Sequence, residues 1–220
     1  MVNDFQRGAF IVFEGIDGSG KSTQASLLAK RLSDCRIPVH STAEPTPGPI
    51  GSLIRNSFAS RVNFDDRVIA ALFVADRLDH ITNSNDGMLG LIERGTTVIS
   101  DRYYLSSMAY HASDVGADWI RSANSINTDL LRPDITIFID IDPDVSLERI
   151  AANRSVPDRF EVRPRLESAR SNYLKAFPDA CEDGIVQVDG SLGLEALSDE
   201  IWRNVLPVLA KRGLVQHAPA

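Results

Sequence analysis

Residues 15–23 of this chain read Gly15-Ile16-Asp17-Gly18-Ser19-Gly20-Lys21-Ser22-Thr23 and fit the pattern G-x-x-x-x-G-K-[ST] of a phosphate-binding P-loop. An apolar run at positions 9–13, typical of a buried strand, precedes them. Leucines and alanines at helical spacing follow between positions 25 and 32. The motif is therefore predicted to connect a strand to a helix, which is the structural context of a P-loop.

The residue types in this stretch suit a bound triphosphate. Glycines at 15, 18 and 20 allow positive backbone torsions and let an anion approach the main chain. Backbone N–H groups and the positive end of the following helix attract phosphate oxygens. Lys21 can reach the β- and γ-phosphates, and the Ser22 hydroxyl can ligate Mg²⁺. We therefore predict that the protein binds a nucleoside triphosphate.

The composition indicates a soluble globular protein. A chain of 220 residues with 43% hydrophobic residues can form one well-cored domain, so we expect a single domain over 1–220. No apolar run approaches the roughly 18 residues that span a bilayer, and no signal peptide is evident, so we expect no membrane partner. The net charge of −7 argues against a nucleic-acid-binding surface. Cys35 and Cys181 fit no metal or disulfide spacing, and reduced thiols favour a cytoplasmic location.

Strand-like and helix-like segments alternate along the chain. After the first strand, further strands are expected at 37–42, 96–100, 135–141 and 185–189. Helical patterns are found at 50–58, 65–81, 88–94, 145–152 and 194–210, with a break at 83–87. This alternation predicts an α/β fold, a three-layer doubly wound sheet of five parallel strands, with the P-loop at the carboxyl ends of the strands. Residues 211–220 are expected to form a frayed tail.

Polar residues lie where substrates bind in α/β sheets. Asp101 ends the third strand and is a candidate for the Mg²⁺ shell. Arg102 beside it can pair with a phosphate, although a strand-end salt bridge would explain both residues. The loop 43–49, rich in proline and glycine, is either a substrate loop or a rigid connection. Phe73 and Arg77 share a helical face, which suits either a binding site or a packed core.

The segment 149–165 is the most basic part of the chain and contains five arginines. Residues 155–158 interrupt its helical pattern. A short arginine-bearing loop between helices suits a mobile lid that closes over transferring phosphates. A solvated helix face is the alternative. We assign no catalytic role to the four histidines.

From about residue 10 to residue 190 the chain resembles the thymidylate kinase family. Six motifs carry the resemblance: Phe13–Gln24, Glu44-Pro45, Phe73–Arg77, Asp101–Tyr103 leading to Ser106-Ser107 and Ala109-Tyr110, Pro133-Asp134 before Asp140, and Asp158–Glu161. Each is weak beyond the P-loop, but six in the right order are highly specific.

The resemblance implies transfer of the γ-phosphoryl group of MgATP to dTMP, giving dTDP and ADP. It places Asp17 at the sugar hydroxyl of dTMP and Phe73 against the thymine ring. Arg77 would read the base edge, and Arg102 would contact the acceptor phosphate. Tyr110 would lie where a ribose 2′-hydroxyl would intrude. The other motif residues expected to contact the acceptor are Glu44, Pro45, Ser106 and Ser107.

Two departures from the family pattern concern the acceptor. Ala43 stands where the family commonly has an arginine before Glu44-Pro45, and Arg55 is a candidate substitute. His111 stands where the family often has glutamine.

The resemblance also bears on the arginines that act on the transferring phosphoryl group. Some family members have an arginine at the position of Ser19, whereas the others supply arginines from the lid. This chain resembles the second kind, so Arg149, Arg154 and Arg159 are the catalytic candidates, and Arg154→Ala should lower kcat more than dTMP affinity. A homodimer is also implied.

Two other functions remain open on the sequence alone. One is another P-loop nucleoside or nucleotide kinase, for example one that acts on dUMP or a deoxynucleoside. The other is a non-catalytic nucleotide-binding regulator, which would bind ATP without acceptor-dependent release of ADP.

Overall fold

The computed structural model describes residues 7–153 and 162–215. Within them, one parallel sheet is built from β1 (Phe10–Glu14), β2 (Val39–Ala43), β3 (Thr97–Asp101), β4 (Ile135–Asp140) and β5 (Ile185–Asp189). The order across the sheet is β2-β3-β1-β4-β5, and every neighbouring pair is parallel. The predicted sheet of five parallel strands is confirmed.

Helices connect the strands and cover the sheet. They are α1 (Lys21–Asp34), α2 (Pro49–Phe58), α3 (Asp66–Thr82), α4 (Met88–Glu93), α5 (Tyr104–Val115), α6 (Ala117–Leu130), α7 (Pro143–Asn153), α8 (Arg163–Ala176) and α9 (Leu194–Lys211), with a 3₁₀ segment at Phe177–Asp183. The break predicted at 83–87 separates α3 from α4. The sequence pattern does not assign α6 and α8, because the buried stripes of these helices are narrow. In α6, for example, only three residues are buried, and two of these are asparagines, so the buried face of the helix is not an apolar stripe in its sequence.

The hydrophobic core lies on both faces of the sheet. Ile11 of β1 lies in a cluster with Leu28 of α1 and Ile201 of α9 on one face. Val12, the next residue, lies in a cluster with Met88 of α4 on the other face. The three central strands, β1, β3 and β4, are almost wholly buried, and strands covered on both faces read as near-continuous apolar runs, which is why these three were recognisable. Each fully buried large side chain stabilises the fold by about 1.5–3 kcal/mol.

The strand order sets where the functional segments meet. β1 lies between β3 and β4, and Phe13 of β1 is in register with Asp101 of β3. The P-loop that follows β1 and the Asp101–Arg102 pair that ends β3 therefore lie side by side at the carboxyl edge of the sheet, where α/β proteins bind ligands.

The predicted lid and tail are described only in part. Of the segment 149–165, the start belongs to α7 and the end to α8, whereas Arg154 and Arg159 lie outside the described residues. In the C-terminal tail, the structure extends to residue 215, and Arg212 pairs with Asp134. Among the described residues, none of the helices has the length and apolar character needed to cross a membrane.

Candidate active site

The P-loop is a tight backbone turn between β1 and α1. Gly18 has a φ of +74°, and a Cβ added there would lie 2.7 Å from the carbonyl oxygen of Ser146. Gly20 precedes α1 as its N-cap, with a φ of +99° in the left-handed region. Glycine is thus required at both positions, at position 18 also for space. The turn brings the N-terminus of α1, the positive end of its dipole, to the loop.

A cavity of about 470 Å³ opens above this loop. Residues 17–24 form its floor, and Asp101 and Arg102 from the end of β3 form one wall. Ala43 and Glu44 at the end of β2, Arg149 and Ile150 of α7, and three leucines after β5, at positions 192, 194 and 197, line the rest. The cavity therefore combines an anion-binding floor with an apolar wall, which is the arrangement that a nucleotide with a phosphate chain and a base needs.

Lys21 is buried beneath the cavity. The residue is only 6% exposed, and its Nζ donates a hydrogen bond of 2.9 Å to the carbonyl oxygen of Ile16. Burial, and then the nearby Arg102 cation, lower the pKa of Lys21 to about 8 from its ordinary 10.5. The ammonium group thus lacks a full counter-charge from the protein, and a bound phosphate chain would supply one.

Ser22 and Asp101 meet on the other side of the loop. The Ser22 hydroxyl donates a hydrogen bond to Oδ2 of Asp101. Oδ1 of Asp101 is buried and has no hydrogen-bond partner among the described residues. A hydroxyl and a carboxylate with an unused oxygen are ligands that suit Mg²⁺, which takes few protein oxygens and completes its shell with water and phosphate. The two residues predicted as the metal shell therefore fit that ion.

Asp17, Arg102 and Tyr110 form a second polar group at the cavity. Arg102 donates to Oδ1 of Asp17, and the Tyr110 hydroxyl donates to Oδ2 at 2.9 Å. The Arg102 guanidinium lies 5.0 Å from the Tyr110 ring centroid. Burial would raise the pKa of Asp17, but the Arg102 and Lys21 cations hold it below its ordinary value. Asp17 is thus an ionised acceptor beside a fixed cation.

Two residues that the sequence analysis did not single out support Arg102. Glu14 and Tyr173 are fully buried, and both bond to Ser106, which accepts a hydrogen bond of 3.0 Å from Arg102. An acid at the end of the apolar strand β1 could have pointed to Glu14. Tyr173 gives no local signal, because it lies on α8, 71 residues from Arg102.

Arg77 is fully buried, so its guanidinium does not extend from the core into solvent. Its guanidinium donates to the Glu44 carboxylate and to the Tyr103 carbonyl oxygen at 3.1 Å. It also donates to Oδ1 of Asn124 at 2.5 Å and to the Ser107 hydroxyl at 3.2 Å. Four N–H groups of the side chain donate in these hydrogen bonds, and NH2 also lies 2.6 Å from the Glu44 carboxylate, so a base contact would have to displace one of these partners.

Phe73 and His111 lie next to Arg77. Their ring centroids are 5.2 Å apart, and both residues are at least nine-tenths buried. Burial, and then the Arg77 cation, lower the pKa of His111 to about 4. The imidazole is therefore neutral at pH 7, and the two rings form an apolar wall.

Hydrogen bonds to a side chain of α3 fix the loop after β2. The Asp76 carboxylate accepts hydrogen bonds from the Thr46 backbone N–H at 2.8 Å and from its hydroxyl at 2.6 Å. The Glu44–Pro45 peptide bond is cis. Arg55, the candidate substitute for the family's arginine, donates to the carbonyl oxygens of Pro45 and Thr46. In this structure it therefore supports the loop, whereas Ala43 and Glu44 line the cavity.

Arg149 is the described member of the three lid candidates. It lies on α7, lines the cavity, and donates a hydrogen bond of 3.0 Å to the carbonyl oxygen of Gly190. Its guanidinium thus lies at the rim of the predicted triphosphate site.

The lowered pKa of Lys21 predicts a pH-dependent stability difference. Because the unfolded chain holds this proton up to its ordinary pKa of 10.5 and the folded chain only to about 8, the folded state gains stability as pH rises between these values. The free energy of unfolding of the wild type minus that of Lys21→Ala should therefore increase between pH 8 and pH 10, by about 2 kcal/mol. Denaturant titrations of the nucleotide-free proteins measure it.

The exposed Lys30 provides the control for this experiment, because its side chain is 75% exposed and pairs with Asp34, which is itself exposed. The rise measured for Lys21→Ala should exceed that measured for Lys30→Ala, because only the Lys21 side chain is taken out of water on folding. A flat difference for Lys21→Ala would contradict the buried, partly uncompensated ammonium group.

Comparison with known proteins identifies the family. The profile of the family described as thymidylate kinase matches residues 13–201. A "Probable thymidylate kinase" of Pyrobaculum aerophilum is 37% identical over 194 residues, which cover 88% of this chain and 94% of that protein. The "Thymidylate kinase" of Thermomicrobium roseum is 35% identical over 210 residues, covering 93% of this chain and 97% of the relative. That of Akkermansia muciniphila is 35% identical over 198 residues, covering 89% and 90%. The matched range contains the P-loop, the Asp101–Arg102 pair and the polar groups around Asp17 and Arg77, and the chain belongs to the thymidylate kinase family.

Proposed function

We propose that the protein transfers the γ-phosphoryl group of ATP to dTMP, giving ADP and dTDP. The observation that carries this proposal is the meeting of two groups in one cavity: the P-loop with Lys21, and Arg102 paired with Asp17. Tyr110 adjoins the second group through its hydrogen bond to Asp17. A triphosphate cradle and a separate arginine for an acceptor phosphate are what phosphoryl transfer between two nucleotides needs.

Each group has a role in positioning and charge neutralisation. The P-loop backbone and Lys21 hold the donor phosphates. Arg102 binds the acceptor phosphate, and its ion pair with Asp17 fixes the direction of the guanidinium. Asp17 accepts a hydrogen bond from the sugar hydroxyl of the acceptor, and Tyr110 closes the space beside that sugar. Ser22 and Asp101 would hold Mg²⁺, which when bound neutralises charge on the phosphates.

The acceptor base is proposed to bind against Phe73 and His111. The neutral imidazole of His111 leaves this wall without charge, which suits a neutral pyrimidine. Of the contacts that Arg77 makes through NH1, the one to the Ser107 hydroxyl at 3.2 Å is longer than the one to Asn124 at 2.5 Å. The base edge would therefore exchange with Ser107, while Asn124 and Glu44 hold the guanidinium in place. Glu44 and Pro45 then form the near wall of the site.

The arginines of the predicted lid are assigned to the transferring phosphoryl group. Arg149 at the cavity rim, together with Arg154 and Arg159, would neutralise charge that develops on the transferring phosphoryl group. A lid that closes only over both nucleotides would also keep water from accepting that group. In this proposal the chain forms one domain with the lid inserted at about 149–165.

An acceptor panel tests the proposed function. ADP release with MgATP would be measured for dTMP, dUMP, dCMP, dAMP and dGMP and without acceptor. We expect strong preference for dTMP. Preference for another nucleotide would keep the phosphotransferase and refute the thymine assignment. Bound ATP without acceptor-dependent turnover would favour a regulator.

We further propose that the protein works as a homodimer in the cytoplasm. Trp119, Ile126 and Leu130 are 42%, 51% and 38% exposed and lie on one face of α6, because they are spaced by seven and four residues. The exposed free thiols of Cys35 and Cys181 suit a reducing compartment. Sedimentation velocity should show a dimer for the wild type and a smaller species for Trp119→Glu/Ile126→Glu. A wild-type monomer at micromolar concentration would refute the dimer.

A further inference from the structure

Glu14 ends β1, directly before the P-loop, and is completely buried. Its Oε1 accepts hydrogen bonds from the backbone N–H groups of Tyr103 at 2.9 Å and Ser106 at 3.1 Å. These groups belong to the N-cap and the first turn of α5, where Tyr103 itself makes no side-chain cap. The carboxylate of Glu14 therefore caps α5 from a neighbouring strand, and its negative charge suits that end of the helix.

Two hydroxyl groups link the second carboxylate oxygen of Glu14 to the Arg102 guanidinium. Oε2 accepts from the hydroxyls of Ser106 at 2.6 Å and Tyr173 at 2.8 Å. A hydroxyl has one proton, so a proton donated to Glu14 leaves the oxygen lone pairs for other donors. Arg102 uses them, with NH1 donating to Ser106 at 3.0 Å and to Tyr173 at 3.4 Å. The carboxylate thereby sets the direction of both hydroxyls toward the guanidinium.

The backbone of Arg102 is held by the same strand end. Its φ of +78° is unfavourable for a residue other than glycine, and such a conformation persists where the surroundings fix it. The Arg102 N–H donates to the Phe13 carbonyl oxygen at 2.9 Å, and the next N–H in the chain, that of Tyr103, donates to Glu14. Residues 13 and 14 thus bond to the peptide groups on both sides of the Arg102 side chain.

We infer that Glu14 is a positioning residue that aligns the Arg102 guanidinium with the acceptor phosphate through Ser106 and Tyr173. This inference rests on the proposed function, which assigns Arg102 to that phosphate. Because Glu14 also adjoins Gly15, one side chain links the donor cradle to the acceptor cation. None of the motif residues that we assigned to the site has this role.

Glu14→Gln tests the inference with little change in size. The amide oxygen can still accept from the two backbone N–H groups, but the amide NH₂ would face two hydroxyls that now donate to the carboxylate. Both hydroxyls would then have to accept from the amide, which turns their protons away from position 14 and makes the amide compete with Arg102 for their lone pairs. We expect kcat/KM for dTMP to fall roughly tenfold, while the KM for ATP stays within about twofold of wild type.

Two further variants make the result decisive. Asp183→Asn is the matched control, since the Asp183 side chain is also fully buried and also bonds to α5, through the Tyr104 hydroxyl, but does not touch the cavity. Asp183→Asn should lower the melting temperature of the protein and leave the KM values for dTMP and for ATP unchanged. Ser106→Ala keeps the backbone cap and removes the link to Arg102, so it should reproduce the selective loss for dTMP even if Glu14→Gln fails to fold.

The outcomes separate the inference from the proposed function. If Glu14→Gln and Ser106→Ala are destabilised but retain wild-type kcat/KM for dTMP, Glu14 is merely structural and the inference is wrong. Equal losses for ATP and dTMP would also overturn it. Arg102→Gln serves as the reference: if it too retains wild-type kcat/KM for dTMP, the assignment of Arg102 itself fails. A wild-type protein that phosphorylates a different acceptor would refute the proposed function alone.

Discussion

Lys21→Ala should lower kcat about a thousandfold, because it removes the cation that contacts the phosphates as charge develops in the transition state. The loss should fall mainly on kcat, since the P-loop backbone and the α1 dipole still attract the triphosphate. Coupled measurement of ADP release at saturating dTMP and increasing ATP separates kcat from the KM for ATP.

The fold should survive this substitution. Lys21 is buried with a pKa lowered to about 8, so its charge costs stability at pH 7 in the nucleotide-free protein, and its removal relieves that cost. Lys30→Ala on the exposed face of the same helix is the matched control and should keep full activity. A well-folded Lys21→Ala protein with near-normal kcat would refute the P-loop assignment.

Arg102→Gln should lower kcat/KM for dTMP roughly a hundredfold, the second largest effect that we expect. The substitution removes the guanidinium that would bind the acceptor phosphate and leaves Asp17 with Tyr110 and Lys21 as its remaining partners. Because the P-loop is untouched, the KM for ATP should change little. Initial rates over a matrix of dTMP and ATP concentrations provide both values.

Arg121→Gln is the control for loss of an arginine charge. Arg121 is half exposed on α6 and pairs with Asp118 and Asp179 away from the cavity. This variant should have the wild-type kcat/KM for both dTMP and ATP. A similar loss in the two variants, or a larger effect of Arg102→Gln on ATP than on dTMP, would contradict the assignment of Arg102 to the acceptor.

Local sequence patterns were sufficient for the sheet and for the P-loop turn between β1 and α1. The apolar runs at 9–13 and 135–141 are recognisable because both faces of a parallel strand are buried. The P-loop is recognisable because every group that contacts phosphate lies within nine consecutive residues. In both cases the physical constraint acts on neighbours in the chain, so a short window contains it.

The support of the site depends on contacts between distant residues. Glu14 and Tyr173 are 159 residues apart and meet only because α8 packs against the face of the sheet that carries α5. Asn124, whose Oδ1 accepts from Arg77, lies on a helix with a weak apolar pattern. Arg55 likewise donates to the carbonyl oxygen of Pro45 in the loop after β2. This contact depends on the conformation of that loop, which the residue type alone does not predict.

The adjacency of β1 and β3 makes the sheet a spacer of fixed length between the P-loop and Arg102, which we propose bind the two substrates. Neighbouring strands are about 4.8 Å apart, and hydrogen bonds along their whole length maintain that spacing. The separation of cradle and acceptor arginine is therefore built into the most rigid part of the molecule, and the surrounding loops do not have to preserve it. Divergence at Ala43 or His111 can then change which base is accepted without altering the span that the phosphoryl group crosses.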